Sequence, residues 1–315
     1  MNKKQIIEKI KKVKQSKSTI GELHFLLKEE RVLRGNVDEE TQKSLSEAFI
    51  QDLFDFFSNE EVQIMNLSEI DDRSNVIYLY DYEGQIKEFE VIKSIIRNDA
   101  YENYSFKHDN IKNLKAYIMT YVNEDCKLTI IQQHYPFYLL KKDTNILLNF
   151  SGSNQINKLD GDIFRLSCSF DFLIIDDELY IKDINKLETK YAFHEIIKSN
   201  ALSSIEQIKK LNLVEDISEL KVLVENITYA RKLIRASKKS PVLNEVPKQE
   251  ILSFICSYSN GYLLDKIKLN KNKDSLVLKT QEAKRIFIKL LNDDFLLSEL
   301  TKHKYDSLAK DEVNG

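Results

Sequence analysis

Glu188-Thr189-Lys190 places a carboxylate two residues before an ammonium, and Asp176 and Asp177 stand a short way upstream. Metal-dependent nucleases use this combination: two carboxylates hold Mg²⁺ and a lysine polarises the scissile phosphate. The triplet reads here as part of a short strand. It is also a common pattern, and in a chain this rich in Glu and Lys about three copies arise by chance. Asp176-Asp177-Glu178 is better explained as a hairpin turn between the apolar runs 172–175 and 179–181.

A second chemistry needs only rows of positive charge. On a helix, Arg231, Arg235 and Lys238 fall at i, i+4 and i+7, away from Ile227 and Ile234. Lys284, Arg285 and Lys289 follow on a later helix, and the tail adds Lys302, His303, Lys304 and Lys310. Such rows neutralise nucleic-acid phosphates without reading sequence. The plainer explanation is a solvated helix face.

Other chemistries find little support. The chain contains no P-loop, GxGxxG, GxSxG or HExxH, and its seven glycines leave few loops able to cradle phosphate. His24, His108, His134, His194 and His303 are isolated from one another and from cysteine at metal-ligand spacing. No cofactor and no metal centre is expected. Cys126, Cys168 and Cys256 are odd in number and far apart, which suits reduced, mostly buried thiols.

Charge is unevenly distributed over the 315 residues, although the net is only −3. Residues 38–72 carry eleven acids and one lysine, whereas residues 1–17 carry seven lysines and one glutamate. Residues 266–289 carry eight bases and two acids. Local fields of this kind govern encounters with polyanions more than net charge does. With 42% hydrophobic residues the chain has material for a core. No apolar run approaches the roughly 18 residues needed to span a bilayer, and no signal-peptide core follows the N-terminal lysines, so a cytoplasmic location is expected.

Helical periodicity is read at 2–15, 39–57 and 86–96, and strands at 20–27, 61–65 and 76–81. From 114 to 182 strand signals dominate: 114–122, 126–133, 137–141, 145–150, 163–167, 170–175 and 178–182, with short links that suggest an antiparallel meander. From 194 the pattern is helical, at 194–212, 217–239 with a break, 247–257, 280–292 and 294–300. Thr280 is a good N-cap for the helix at 280–292. Strands followed by helices, without βαβ alternation, indicate an α+β fold: an antiparallel sheet core and a helical C-terminal region. The polar stretch 98–113 is the expected boundary. It divides an N-terminal α+β region, 1–105, from a second region, 106–315, that is strand-rich over 114–182 and helical over 194–312.

Two stretches carry a family resemblance. One runs from Arg165-Leu-Ser-Cys-Ser-Phe-Asp-Phe-Leu-Ile-Ile-Asp-Asp-Glu-Leu-Tyr-Ile through Leu187-Glu-Thr-Lys-Tyr-Ala-Phe193. The other, more specific, is Leu290-Leu-Asn-Asp-Asp-Phe-Leu-Leu-Ser-Glu-Leu-Thr-Lys-His-Lys-Tyr-Asp-Ser-Leu-Ala-Lys310. Over roughly 110–310 the chain resembles the KwaB-like family of the bacterial Kiwa anti-phage system. The resemblance implies a role in antiviral defence, DNA binding, self-association as a homodimer, and a multi-spanning membrane partner, KwaA, that would bring the chain to the inner membrane. It supplies no catalytic residue.

Three functions follow as expectations. The leading one is a non-enzymatic effector that holds DNA by its backbone through Arg231, Arg235, Lys238, Lys284, Arg285, Lys302, Lys304 and Lys310, and so blocks phage replication or transcription. The second is a Mg²⁺-dependent nuclease using Glu188, Lys190 and Asp176 or Asp177. The third is an interaction module that docks the membrane partner through segment 38–72 or helix 2–15, the latter also suited to anionic lipid.

Overall fold

The computed structural model describes the chain apart from residues 17–18, 71–74, 96–100, 106–107, 110, 125, 136–138, 141–147, 152–154, 159–162, 259–260, 298–303 and 307–315. It is α+β. The chain divides into two compact units, one formed by 1–64, 75–79 and 85–187, the other by 65–74, 80–84 and 188–315.

The first unit is organised on an antiparallel sheet. Its elements in chain order are α1 (Lys3–Gln15), β1 (Glu22–Leu27), β2 (Val32–Arg34), α2 (Glu39–Ser58), β3 (Gln63–Asn66), β4 (Val76–Leu79), α3 (Lys87–Lys93), β5 (Leu114–Val122) and β6 (Lys127–Gln133). Then come β7 (Leu139–Leu140), β8 (Leu148–Ser151), β9 (Gln155–Lys158), β10 (Ile163–Phe164), β11 (Phe172–Ile175), β12 (Glu178–Ile181) and α4 (Ile184–Lys190). The eight-stranded sheet has the order β2-β1-β5-β6-β11-β12-β4-β3, while β7 with β10 and β8 with β9 form separate pairs.

This order departs from a simple meander. Strands from before and after residue 105 share this sheet, since β1 pairs with β5 from Glu22↔Thr120 to Leu27↔Leu114. Alternation explains why the pairing is firm. Leu23, Phe25, Tyr117, Met119, Leu128, Ile130, Leu173 and Tyr180 share one core with α1 and α2, and a one-residue slip would turn that whole set away. On the other face Phe89 of α3 meets Phe172 edge-on at 5.1 Å.

Helix α1 is fixed by a capping box between Asn2 and Gln5. Its stripe Ile6, Ile10 and Val13 is at most 2% exposed and belongs to the core. Exposing such side chains costs roughly 1.5–3 kcal/mol each, so this stripe is not available to a lipid surface. Asp176 and Asp177 form the two-residue link of the β11–β12 hairpin, with φ of 46° and 71°. Both are in the left-handed region that a type I′ turn demands.

The second unit is mainly helical: α5 (Phe193–Lys209), α6 (Ser218–Lys221), α7 (Ile227–Lys239), α8 (Pro241–Glu245), α9 (Lys248–Ser257), α10 (Tyr262–Lys266) and α11 (Gln281–Leu291). Two small hairpins accompany them, β13 (Lys268–Leu269) with β14 (Leu276–Val277), and β15 (Phe295–Leu297) with β16 (Lys304–Asp306). Helix α5 buries Ile197, Ala201, Ile205 and Ile208, a stripe at helical spacing, and packs on α7.

Three sequence expectations are corrected here. Glu188-Thr189-Lys190 lies at the end of helix α4, not on a strand. Residues 295–297 form β15 where a helix was expected, because Phe295, Leu296 and Leu297 pair with Asp306, Tyr305 and Lys304. Cys256 is exposed on α9 rather than buried.

Candidate functional site

Helix α7 is specified by its N-cap, Asn226, whose side chain accepts from the amides of Thr228 and Tyr229. Ala230, Leu233, Ile234 and Ala236 face inward, which turns the basic row toward the flank of the unit. That row is neutralised by carboxylates at several points. The Arg231 guanidinium pairs with Glu188, and both side chains are largely covered. His194 Nε2 stands 3.6 Å from the second Glu188 oxygen.

Lys238 donates to the Asp81 backbone carbonyl at 2.5 Å and to its carboxylate at 2.9 Å. Asp81 is itself held by the amide and hydroxyl of Ser68. Lys239 pairs with Glu69 at 2.7 Å. Glu69 of the acidic stretch, with Asp81 beyond it, thus supplies counter-ions for α7. Tyr82 lies under Lys238, whose ammonium is 5.6 Å from the ring centroid. Burial pushes the Tyr82 hydroxyl well above the usual tyrosine range despite the nearby Arg231 charge. Arg235 is half-buried.

The remaining basic candidates divide in two. Lys284 is buried and pairs with Glu219 at 2.7 Å, so it is turned into the unit. Arg285 is exposed on α11. Lys304 lies in β16, and Lys302 and Lys310 fall outside the described residues.

Sequence reading singled out charge in 266–289 but not the hairpin that displays it. Lys268, Lys271 and Lys273 are exposed on β13 and its turn, and among the described residues none of the three is in an ion pair. The turn is well fixed. Asn270 donates to Asp274 and its side-chain oxygen accepts from the amides of Asp274 and Ser275, while Lys273 takes a left-handed φ of 58°. Strand β14 is anchored through Leu276, whose amide donates to Leu213 at 2.8 Å and whose carbonyl accepts from Glu215 at 2.9 Å. Lys266, immediately before β13, is tied to Glu282 in the first turn of α11.

Members of the nuclease constellation have partners of their own within each unit. Asp176 is committed to the turn, where its carboxylate accepts from the Lys127 amide and pairs with Lys9. Glu188 is held by Arg231, and Lys190 is exposed. Among the described residues no three His, Cys, Asp or Glu side chains are grouped to hold a metal ion.

A different polar centre occupies the first unit, at Asp171. This carboxylate is 5% exposed. It accepts from the Gln133 amide at 2.8 Å and from Lys186 at 2.6 Å. Burial works against the Lys186 ammonium, but the hydrogen bond and charge of Asp171, with Asp183, leave its pKa raised. Lys182 lies 4.6 Å from the ring centres of both Phe56 and Phe170, and burial lowers its pKa. The available signal was an acid, Asp171, between Phe170 and Phe172 in an apolar run: a buried charge requires partners.

A family model described as Kiwa protein KwaB-like matches residues 111–301. Kiwa protein KwaB of Escherichia coli O55:H7 (strain RM12579 / EPEC) is 30% identical over 321 residues, with the whole of both chains covered. The chain belongs to the KwaB family. No solved structure matches it. The family match includes β5, β6, the Asp171 centre, α7 and the β13–β14 hairpin, and so draws on both units. No helix among the described residues is long and apolar enough to cross a membrane.

Proposed function

We propose that this KwaB-family chain serves an anti-phage Kiwa system as a DNA-binding effector that obstructs phage replication or transcription without cutting. The observation that carries the reading is the contrast between two basic surfaces of the second unit. On α7, Arg231, Lys238 and Lys239 already have carboxylate partners. On the β13–β14 hairpin, Lys268, Lys271 and Lys273 project from a rigid turn without ion pairs among the described residues. Cations held on a stiff element lose little freedom on meeting phosphate, and neutralising phosphates releases counter-ions from the duplex. Arg285 is a further exposed base of the same unit, on α11. Family membership supports the defence role; a KwaA-like membrane partner, self-association as a dimer and a place at the inner face of the membrane are parts of the same proposal.

The test is binding to labelled duplex DNA across a salt series, with and without Mg²⁺, each sample then run on a denaturing gel. Log affinity should fall with log salt at a slope of about −0.9 for each phosphate contacted, and the DNA should stay intact. Lys271→Glu with Lys273→Glu should make the slope shallower by about 2. Salt-independent binding, or full affinity in that double variant, would remove the hairpin from the reading. Cleavage only with Mg²⁺ would replace it with a nuclease.

A further inference from the structure

At the β2 edge of the sheet the first unit contains a cavity of about 360 Å³, lined by Glu22, Arg34, Asn36, Glu39, Gln42 and Asn103 among others. Small-molecule sites fall in the range of roughly 300–1,000 Å³, so this one suits a ligand of amino-acid size.

Its walls are firmly built. Arg34 and Glu22 come from paired strands, β2 and β1, where Arg34 stands opposite His24. Gly35 lets β2 close on β1: its amide donates to Leu23 at 2.7 Å, and a Cβ there would come within 2.8 Å of the Leu23 side chain. Segment 102–104 runs beside β2, with the Arg34 amide donating to Glu102 and the Tyr104 amide to Arg34, each at 2.8 Å. That brings Asn103 to the rim. The first turn of α2 adds Glu39 and Gln42, and is fixed by Asp38, which caps the Thr41 amide at 2.9 Å. Gln42 is braced by the Gly21 carbonyl.

The charges have a definite arrangement. Arg34 and Glu22 face the same space with their nearest atoms 4.0 Å apart, at the limit of ion-pair contact. Glu39, at the exposed mouth, is a second carboxylate. One guanidinium with two carboxylates complements a molecule that carries one carboxylate and two cations.

We propose that this cavity binds a basic α-amino acid. Its carboxylate meets the Arg34 guanidinium in a bidentate pair, its α-ammonium meets Glu22, and its side-chain cation reaches Glu39. The carboxamides of Asn36 and Asn103 supply the remaining hydrogen bonds at the rim. This site is distinct from the DNA surface proposed above and does not depend on it.

The experiment is titration calorimetry of the full chain with L-arginine and L-lysine, alongside L-glutamate and spermidine. Arginine or lysine should bind, and Arg34→Gln and Glu22→Gln should each weaken binding about tenfold or more, the scale of one lost charged hydrogen bond. Glutamate, with the opposite balance of charge, and spermidine, with no carboxylate, should not bind. Glu39→Gln, at the exposed rim, provides a variant that leaves folding intact, and should weaken lysine and arginine alike. No heat with either basic amino acid would overturn the proposal. So would equal affinity in all three variants, or spermidine binding as tightly as arginine. DNA affinity should be unchanged in Arg34→Gln, which separates failure of this site from failure of the DNA reading.

Discussion

Arg231 on α7 and Glu188 at the end of α4 form an ion pair whose side chains are only 22% and 16% exposed. The residue that the sequence offers as a metal ligand is therefore the counter-ion of the residue it offers as a phosphate contact. Each occupies the other, and both are drawn away from the chemistry that their types suggest.

Glu188→Ala should leave a half-covered guanidinium without its main partner. We expect a loss of about 1–3 kcal/mol, the usual cost of stranding a buried polar group. The double variant with Arg231→Ala should recover part of it, since neither charge is then stranded. Urea denaturation of the two single variants and the double measures this directly. A loss confined to DNA cleavage, with stability unchanged, would mean that Glu188 is a metal ligand after all.

Lys284 and Lys271 belong to the same run of basic residues but should respond in opposite ways. Lys284→Glu sets two carboxylates together in a site only 5% exposed on the lysine side, so it should compromise folding of the second unit. Lys271→Glu, on an exposed turn, should leave the thermal midpoint nearly unchanged and reduce DNA affinity at low salt. Thermal melts and binding on the same two proteins decide between them, and a stable Lys284→Glu with weakened DNA binding would return Lys284 to the interface.

Two buried histidines predict acid sensitivity. Burial lowers His24 and His134 from 6.5 to about 4, and Tyr117 hydrogen-bonds His134 Nδ1. In the folded state both stay neutral where the unfolded chain begins to bind protons. Their contribution is fully present above pH 6.5 and declines as pH falls toward 4, because the unfolded state then holds more protons. The thermal midpoint should already drop between about pH 6.5 and 5, before most carboxylates titrate. His134→Gln should flatten that slope; an identical slope would show that His134 binds protons alike in the folded and unfolded chain.

The turn at Asp176-Asp177 yields a stabilising change. Asp177 has a φ of 71°, a conformation glycine adopts without the Cβ penalty. Asp177→Gly should raise stability modestly by chemical denaturation, because relief of the left-handed penalty exceeds the added chain entropy of glycine. If Asp177 instead held a catalytic metal, the same variant would abolish cleavage.

Sequence alone located most elements, and the reasons for its misses are specific. Strands β5 and β6 were legible because apolar and β-branched residues dominate them and turn residues separate them. The basic row of α7 was legible as a face of a helix, but not as a set of occupied side chains, because Glu188, Asp81 and Glu69 lie 43, 157 and 170 positions from their partners. Periodicity carries no information about such long-range pairing. Phe295-Leu296-Leu297 reads equally as helix or strand over so short an apolar run, and its pairing with Tyr305 decided the outcome. The hairpin lysines were visible as charge density. Their exposure depends on Asn270 and Leu276, whose roles are set by hydrogen bonds to backbone.

The order of strands in the sheet has a consequence for how the chain is made. Val76–Leu79 has β3 on one side, already made, but its partner on the other side, Tyr180 and Ile181, follows about a hundred residues later. At a synthesis rate of about 5–20 residues per second, β4 emerges from the ribosome some five to twenty seconds before β12 exists to pair with it. Through that interval a short apolar strand has an open edge, and such edges recruit whatever strand is at hand. Nascent chains of this protein should therefore depend on chaperone occupancy until β12 has emerged, and a pause in translation before β12 should lower the yield of folded protein more than a pause after it.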